Sequence, residues 1–475
     1  MLFTTFTFTC FFLIVLFLWW TVIPKKDTYR KVFLIVVSFI FYSWADPRWA
    51  LNLFIICLFT YLMTKFIEKT DKHKKSLGIF TTIILIGQLV FWKYIPWAAL
   101  SWNEYVGINY KEWIVTPPEW AFPVGLSFFT FHALSLVIPT WLEDRKSLNL
   151  LSTFAHISFF PSLLAGPVLR RDDIEYRWNN KWNWKDVEWS QAIGRIMIGM
   201  TFKWVFASQA ATYADPIFQG MSSNTYEIWI GIHAYAFQIF FDFAGYSHIA
   251  IGIALLLGWK IPENFKFPYL STSIQDFWRN WHRSLSFFFR DNFYIHLLGG
   301  NRKGKNQALI NGFFTMVVSG LWHGANLTFI VWGAWHGLLL VIQGIFKRYI
   351  KLTLPSLLTW FITFELVVWG WVWFRAENLD IAVSTFEAAW SFTNFNESHF
   401  DITTEQIVWL LVMFVIILSE KHILSFIEKI TFKIEKGYFV SWISTPVSTF
   451  ILVIWTWLIM YFGPVGVPAF IYNGF

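Results

Sequence analysis

Apolar runs of roughly 15 to 23 residues follow one another almost from end to end of this 475-residue chain. About 20 such residues in a helix cross a hydrocarbon core of about 30 Å, whereas a helix in water hides only one apolar stripe, so the runs demand a polytopic membrane protein. They fall at 3–23, 31–44, 49–67, 77–97, 122–141, 150–168, 190–214, 226–258, 306–345, 355–375, 406–427 and 443–463. Reading 306–345 as two pieces and 226–258 as one or two gives thirteen or fourteen pieces, and the expectation is an all-α fold in which about eleven are transmembrane helices and others are interfacial. A chain that is 56% hydrophobic and 14% charged is no ordinary soluble domain.

The first run, FTTFTFTCFFLIVLFLWWTVI, lacks a basic leader and a small-residue cleavage site, and reads as a retained transmembrane helix. Cys10 and Cys57 both lie in apolar runs, which gives neither a disulfide framework nor a metal-type cysteine pair. The net charge of +7 sits in clusters that abut the runs, so it is assigned to membrane orientation and anionic headgroups and not to nucleic acid. Lys25, Lys26, Arg30 and Lys31, then Lys65, Lys69, Lys72, Lys74 and Lys75, alternate with a loop carrying Glu104, Glu112 and Glu119. Positive-inside places the N-terminus outside the cytoplasm, the Arg302, Lys303, Lys305 and Lys347, Arg348, Lys351 turns inside, and the acidic 377–405 stretch outside. RRDDIEYRWNNKWNWKDVEW, 170–189, balances its charges among tryptophans and fits an interfacial segment; the topology of 122–225 stays open. No long inverted repeat and no soluble domain boundary interrupts residues 1–475.

An ionisable side chain at mid-bilayer costs about 2.5–3.5 kcal/mol, so each one needs a partner or a polar cavity. Gln238, Asp242 and Tyr246 recur at i, i+4 and i+8 and stack on one helical face. Two readings stand: a hydrogen-bonded network between helices, or the lining of a substrate tunnel. In SIQDFWRNWHRSLSFFFRDNFYIHLLGG, 273–300, a single helix would gather Asp276, Arg279, Arg283 and Arg290 within roughly 60°, opposite Trp278, Trp281, Leu285, Phe288 and Phe289. That pattern predicts an amphipathic helix at the cytoplasmic interface, with His282 on its border.

GLWHGANLTFIVWGAWHG, 320–337, repeats Trp-His-Gly inside an apolar stretch. His323 and His336 lie about 220° apart on a continuous helix, so they form no i, i+4 ligand pair and share no single job. A helix starting at Asn306 covers roughly 24 Å by Leu321, which leaves His323 still inside the membrane, with Gly320 and Gly324 making room beside it. Spacing leaves both histidines open between packing and chemistry.

FPVGLSFFTFHALS (122–135), FFPSLLAGPVLRRDDI (159–174), FDFAGYSHIAIGIALLLGWKIPENFKFPY (241–269), DFWRNWHRSLSFFFRDNFYIHLLGGNRKG (276–304) and GLWHGANLTFIVWGAWHG together resemble the membrane-bound O-acyltransferase family, in particular its alginate O-acetylation branch. The likeness runs in order over roughly residues 120 to 375 of one membrane-embedded domain. It divides the chain into N-terminal helices 1–120, a catalytic core 121–375 and C-terminal helices 376–475. The resemblance implies helices enclosing a central tunnel, with His323 of LWHG as the essential catalytic residue and His282 of FWxxWH also implicated. Asp242, Gln238, Tyr246, Asn326 and His336 are then the candidates to line the tunnel or support the histidines. Two departures are His248, where Asp is common, and IPTWLEDRKS (138–147), which leaves the tunnel entrance and partner contacts unassigned.

On that resemblance, acetyl-coenzyme A is the acyl donor, with no permanently bound cofactor and no metal. The acceptor is an extracytoplasmic polysaccharide, reached through a separate extracytoplasmic or membrane-anchored acetyltransferase, and the location is the cell membrane. His323 would remove the hydroxyl proton as the ester forms, a neutral imidazole being suited to general base catalysis near neutral pH. Arg279, Arg283, Arg290, Arg302 and Lys303 would hold the donor phosphates or, equally, grip lipid headgroups. The chain has no GxSxG elbow of its own, which favours a relay to a partner. Other readings are a D-alanyl transfer protein of teichoic-acid modification, and a polysaccharide or lipid transporter without enzymatic activity.

Overall fold

Thr5, Asp46, Asn149, Ser273, Asn326 and Asn378 each stand one residue before a helix and accept a hydrogen bond from one of its first backbone N–H groups. Such caps matter doubly here, since apolar surroundings offer an orphaned donor no water. The structure is a computed structural model describing residues 1–106, 123–178, 182–222, 224–350, 354–392, 404–435 and 446–464, and every regular element in it is helical. In order these are α1 (Phe6–Phe17), α2 (Asp27–Ser43), α3 (Pro47–Lys69), α4 (Lys74–Val106), α5 (Leu126–Leu142), α6 (Leu150–Ile157), α7 (Trp189–Thr201), α8 (Ser208–Phe218), α9 (Thr225–Leu256), α10 (Ile274–Asn280), α11 (Arg283–Phe288), α12 (Lys305–His323), α13 (Leu327–Tyr349), α14 (Ser356–Arg375), α15 (Leu379–Trp390), α16 (Thr404–Glu435) and α17 (Pro446–Phe462), besides shorter turns.

Among the described residues five helices are long and apolar enough to cross a membrane: α3, the 74–95 part of α4, α9, α13 and α14. Shorter apolar helices run over Phe6–Val22, Leu126–Leu142 and Leu452–Phe462. The apolar window of α9 is wholly buried, against a third of the α3 window, so α9 is packed on all sides by protein while α3 leaves a broad face for lipid. The 306–345 run divides into α12 and α13 as expected, and 226–258 is one helix.

Two runs differ from expectation. The 150–168 segment is not one span: α6 stops at Ile157, and a separate turn covers Phe160–Leu163. Pro161 is the cause, since it offers no N–H to the Ile157 carbonyl four residues back and its ring would clash with that carbonyl in a continuous helix. The amphipathic helix expected over 273–300 is broken between α10 and α11, where His282 takes a left-handed backbone, φ 41° and ψ 54°, and α11 then continues into a π-helical Phe289–Leu297. The arginines of that stretch therefore do not lie along one continuous helix, although Arg283 and Arg290 both lie over the Phe287 ring.

The chain divides into two compact units. In the first, residues 1–192 with 250–262, Arg30 is fully buried under three indoles, its guanidinium 4.4 Å from Trp19, 5.1 Å from Trp20 and 4.6 Å from Trp182. Nη2 donates to the Trp19 carbonyl at 3.1 Å, so one cation gathers the ends of the N-terminal helices. In the second, residues 193–249 with 263–475, α7 crosses α9 at Gly199 and Gly245. A Cβ on Gly199 would lie 2.5 Å from the Gly245 carbonyl oxygen, and one on Gly245 2.7 Å from that of Gly199. Only glycine permits that approach. Gly245→Ala is expected to destabilise the protein by about 1–3 kcal/mol, seen as a lower unfolding midpoint in detergent. Gly87→Ala, where a methyl meets open space, is the control that leaves the midpoint unchanged or raises it.

Candidate active site

Ser273 caps α10 through its side chain, and the helix closes where the Trp281 N–H donates to the Phe277 carbonyl at 2.8 Å. His282 then turns left-handed, which costs roughly 1–2 kcal/mol for a residue with a Cβ. Asn264 holds the turn from outside. Its carbonyl accepts from the Arg283 N–H at 2.8 Å, its Oδ1 accepts from Ser284 Oγ at 2.6 Å, and its Nδ2 donates to Ser247 Oγ at 3.0 Å. The ring of His282 is buried edge-on to Phe243, with centroids 4.7 Å apart. It lies outside the five candidate spans, and burial pushes its imidazole down to about 3, so the ring is neutral at physiological pH.

α12 ends on His323, because Gly324 takes an extended backbone, φ −167° and ψ 162°. The hairpin that follows is drawn tight at Gly320, where a Cβ would strike the Phe329 carbonyl, and at Gly333, where one would lie 2.5 Å from that of Met316. His323 is 6% exposed, with Trp322 at 4.6 Å and Trp332 and Phe374 each at 5.0 Å between ring centroids.

Both histidines reach one cavity of about 720 Å³. One face of α12 forms a wall of it: Lys305, Leu309, Gly312, Met316, Ser319 and His323 recur at helical spacing, roughly 27 Å from first to last. At the Lys305 end stand Lys347 and Arg348 of α13, Arg348 Nη1 donating to Asn306 Oδ1 at 2.5 Å. Towards the histidines the wall turns to Trp278, Trp281, Leu285 and Phe289. Midway, a Cβ on Gly312 would find nothing within 4 Å, so the bore is open there. Cations at one end, an apolar throat and two imidazoles at the other suit a reagent with an anionic head and a neutral arm whose reactive tip meets a base.

The expected basic residues divide. Arg279 and Arg290 line the cavity, each beside a carboxylate, Asp276 at 3.4 Å and Asp291 at 2.7 Å. Arg283 is off the cavity wall, though it lies over the same Phe287 ring as Arg290, at 5.4 Å against 4.6 Å, and Arg302 and Lys303 are exposed and off the wall as well. Lys305, Lys347 and Arg348, read from the sequence only as orientation markers, are the cations that complete the rim. Asn264 was without a signal of its own beyond lying in the IPENFKFPY stretch.

The expected supporting residues stand off the cavity. Asp242 forms a buried ion pair with Lys203, which comes from the π-helical Phe202–Ala207 segment, and Gln238 and Tyr246 are buried on the same helix. Asn326 caps α13, accepting from the Thr328 N–H at 3.1 Å, while its Nδ2 donates to the Glu377 carbonyl at 2.5 Å. His336 is fully buried behind Trp278. His248 Nδ1 lies 2.9 Å from Arg195 Nη1, and Arg195 also forks onto Glu263 at 2.6 and 3.1 Å. Among the described residues no three His, Cys, Asp or Glu side chains converge as a metal ion would require.

Residues 122–376 match the model of the membrane-bound O-acyltransferase family. The chain is 35% identical over 374 residues to the probable alginate O-acetylase AlgI of Pseudomonas aeruginosa, covering 77% of this chain and 71% of that protein. It is 30% identical over 395 residues to the peptidoglycan O-acetyltransferase of Helicobacter pylori, covering 76% and 73%. A shorter match, 31% over 278 residues, covers 54% of this chain and 69% of the teichoic acid D-alanyltransferase of Bacillus subtilis.

The Lys203–Asp242 pair gives a sharp expectation. Lys203→Met leaves a buried carboxylate without its cation and should cost about 3–5 kcal/mol, read from denaturant unfolding in detergent. Lys203→Met with Asp242→Leu should recover much of that loss.

Proposed function

This chain belongs to the membrane-bound O-acyltransferase family, and on that premise we propose that it moves an acetyl group from cytoplasmic acetyl-coenzyme A across the membrane towards an extracytoplasmic polysaccharide, by way of a partner transferase. The observation that carries the proposal is the face of α12 that joins the cationic rim at Lys305 to His323 through an open bore. Similarity to alginate and peptidoglycan O-acetyltransferases supports the acetyl group and the polysaccharide. The arrangement of about eleven spans and a continuation of the cavity into a tunnel open on the far side belong to the same proposal.

In the proposed reaction the donor's phosphates rest on Lys305, Lys347 and Arg348, where charge-assisted hydrogen bonds reward an anion. The neutral arm lies along Leu309, Gly312 and Met316, and the thioester carbonyl comes up beside His282 and His323. The acceptor hydroxyl attacks that carbonyl while His323 Nε2 or Nδ1 takes its proton, a contribution of about 10²–10⁴-fold. The tetrahedral intermediate collapses, the C–S bond breaks, and the imidazolium returns the proton to the departing thiolate. His282, neutral, orients the carbonyl. The aromatic walls keep water from hydrolysing the donor.

A second reading, D-alanyl transfer, draws on the match to the teichoic acid D-alanyltransferase; there the same cavity would admit the arm of a carrier protein instead of a free coenzyme.

Membranes supplied with labelled acetyl-coenzyme A test the proposal. His323→Ala should lower acetyl transfer about 10²–10⁴-fold at unchanged protein level. Gly312→Phe, placed in open space, should abolish transfer by plugging the bore without unfolding the chain. Lys347→Glu should raise the donor KM about tenfold, the worth of one charge-assisted contact. Undiminished transfer in His323→Ala would remove this imidazole from the mechanism, and transfer only from a carrier-bound acyl group would select the second reading.

A further inference from the structure

The second Trp-His-Gly, Trp335-His336-Gly337, has no part in the reaction drawn above. His336 is fully buried on α13, and neither of its ring nitrogens has a hydrogen-bond partner among the described residues. It is enclosed by indoles: Trp278 edge-to-face at 4.9 Å and 88°, Trp332 at 5.2 Å and 70°, and Trp371 at 6.2 Å. The backbone of Gly370 closes the enclosure, since a Cβ there would lie 2.6 Å from His336 Nε2. The same Trp332 stands edge-to-face against His323, 5.0 Å away at 88°, and against Trp278, 5.4 Å away at 84°. Trp332 thus packs against both imidazoles, and Trp278 packs against His336 and also lines the cavity.

We propose that His336 is a positioning residue: it locks Trp332 and Trp278 in place, so that Trp332 in turn fixes the ring orientation of His323 at the end of the cavity. Edge-to-face packing is the preferred arrangement of such rings, and it gives an imidazole N–H the negative face of an indole in place of an oxygen. A proton carrier needs a chain of hydrogen bonds or contact with the reagent, and His336 has neither: it is absent from the cavity wall. Packing precision matters because a base displaced by a fraction of an ångström forfeits much of its rate advantage. The proposal rests on the acyl-transfer reading of His323.

The test compares His336→Ala, His336→Phe, His336→Gln and Gly370→Ala with the wild type in membranes, measuring kcat, the KM for acetyl-coenzyme A and the pH profile of labelled acetyl transfer. Alongside, modification of His323 by diethyl pyrocarbonate is followed by peptide mass spectrometry. His336→Ala should lower kcat about tenfold or more with KM nearly unchanged, and Gly370→Ala, which keeps the histidine but displaces it, should do the same. At least one of the non-titrating replacements, Phe or Gln, should hold kcat within about threefold of wild type with the same pH profile. His323 should react faster in His336→Ala and Gly370→Ala. Loss of activity in Phe and Gln as complete as in Ala, in folded protein, would overturn the proposal in favour of a proton-carrying role. Unchanged kcat and His323 reactivity in both His336→Ala and Gly370→Ala would overturn it outright. If the wild type transfers no acetyl group from acetyl-coenzyme A, it is the functional reading that fails, and the reactivity of His323 still decides the positioning.

Discussion

The backbone approach of α12 to α13 is the constraint on which the site depends. With glycine at 320 and 333 the two helices come together with nothing but hydrogen between their main chains, and that proximity brings Trp332 and Phe329 of one helix onto His323 of the other. A methyl group at either glycine would push the indole away from the imidazole. The hairpin also sets the antiparallel course that returns Lys347 and Arg348 to the Lys305 end of the cavity. One close contact therefore fixes both the dry end and the charged end of the same bore.

A membrane protein cannot leave polar groups to find water, and this chain settles them in three ways. Lys203 and Asp242 neutralise each other in the core, where a lone carboxylate would be costly. Arg30 lies among indoles, whose faces replace part of its hydration. Asn264 gives its carbonyl and its Oδ1 to the turn that carries His282 and ties that turn to Ser247 of α9 through its Nδ2. The first two hold helices together within their own units, while the third serves the site directly by making a strained histidine the stable choice.

How much of this could be read from the residues varies with the kind of signal. The LWHG and FWxxWH histidines were singled out by resemblance to a family's motifs, spacing alone having left them open between packing and chemistry, and both side chains reach one cavity. That 306–345 holds two helices was legible from its run length, though not that the division falls at Gly324. The break at His282 was not, because face arithmetic assumes a continuous helix and the left-handed turn is imposed by Asn264 from outside the segment. Hydropathy likewise treats 150–168 as one run, being blind to the missing N–H of Pro161. Asp242 was recognised as needing company, but its partner lies on another helix, in a π-helical stretch that no periodicity announces. The cavity cations show the same limit: Lys305, Lys347 and Arg348 are plainly basic in the sequence, yet only the hairpin makes them neighbours.

The central claim is that a reagent entering at the cationic rim travels along α12 to His323. Its most direct test is the alkylation of cysteines placed along that face, Gly312→Cys and Ser319→Cys, in a background where Cys10 and Cys57 are replaced by serine. Both should react with a small water-soluble maleimide, and acetyl-coenzyme A should slow both. A folded Ser319→Cys protein that never reacts, or that reacts equally fast with the donor present, would contradict the account.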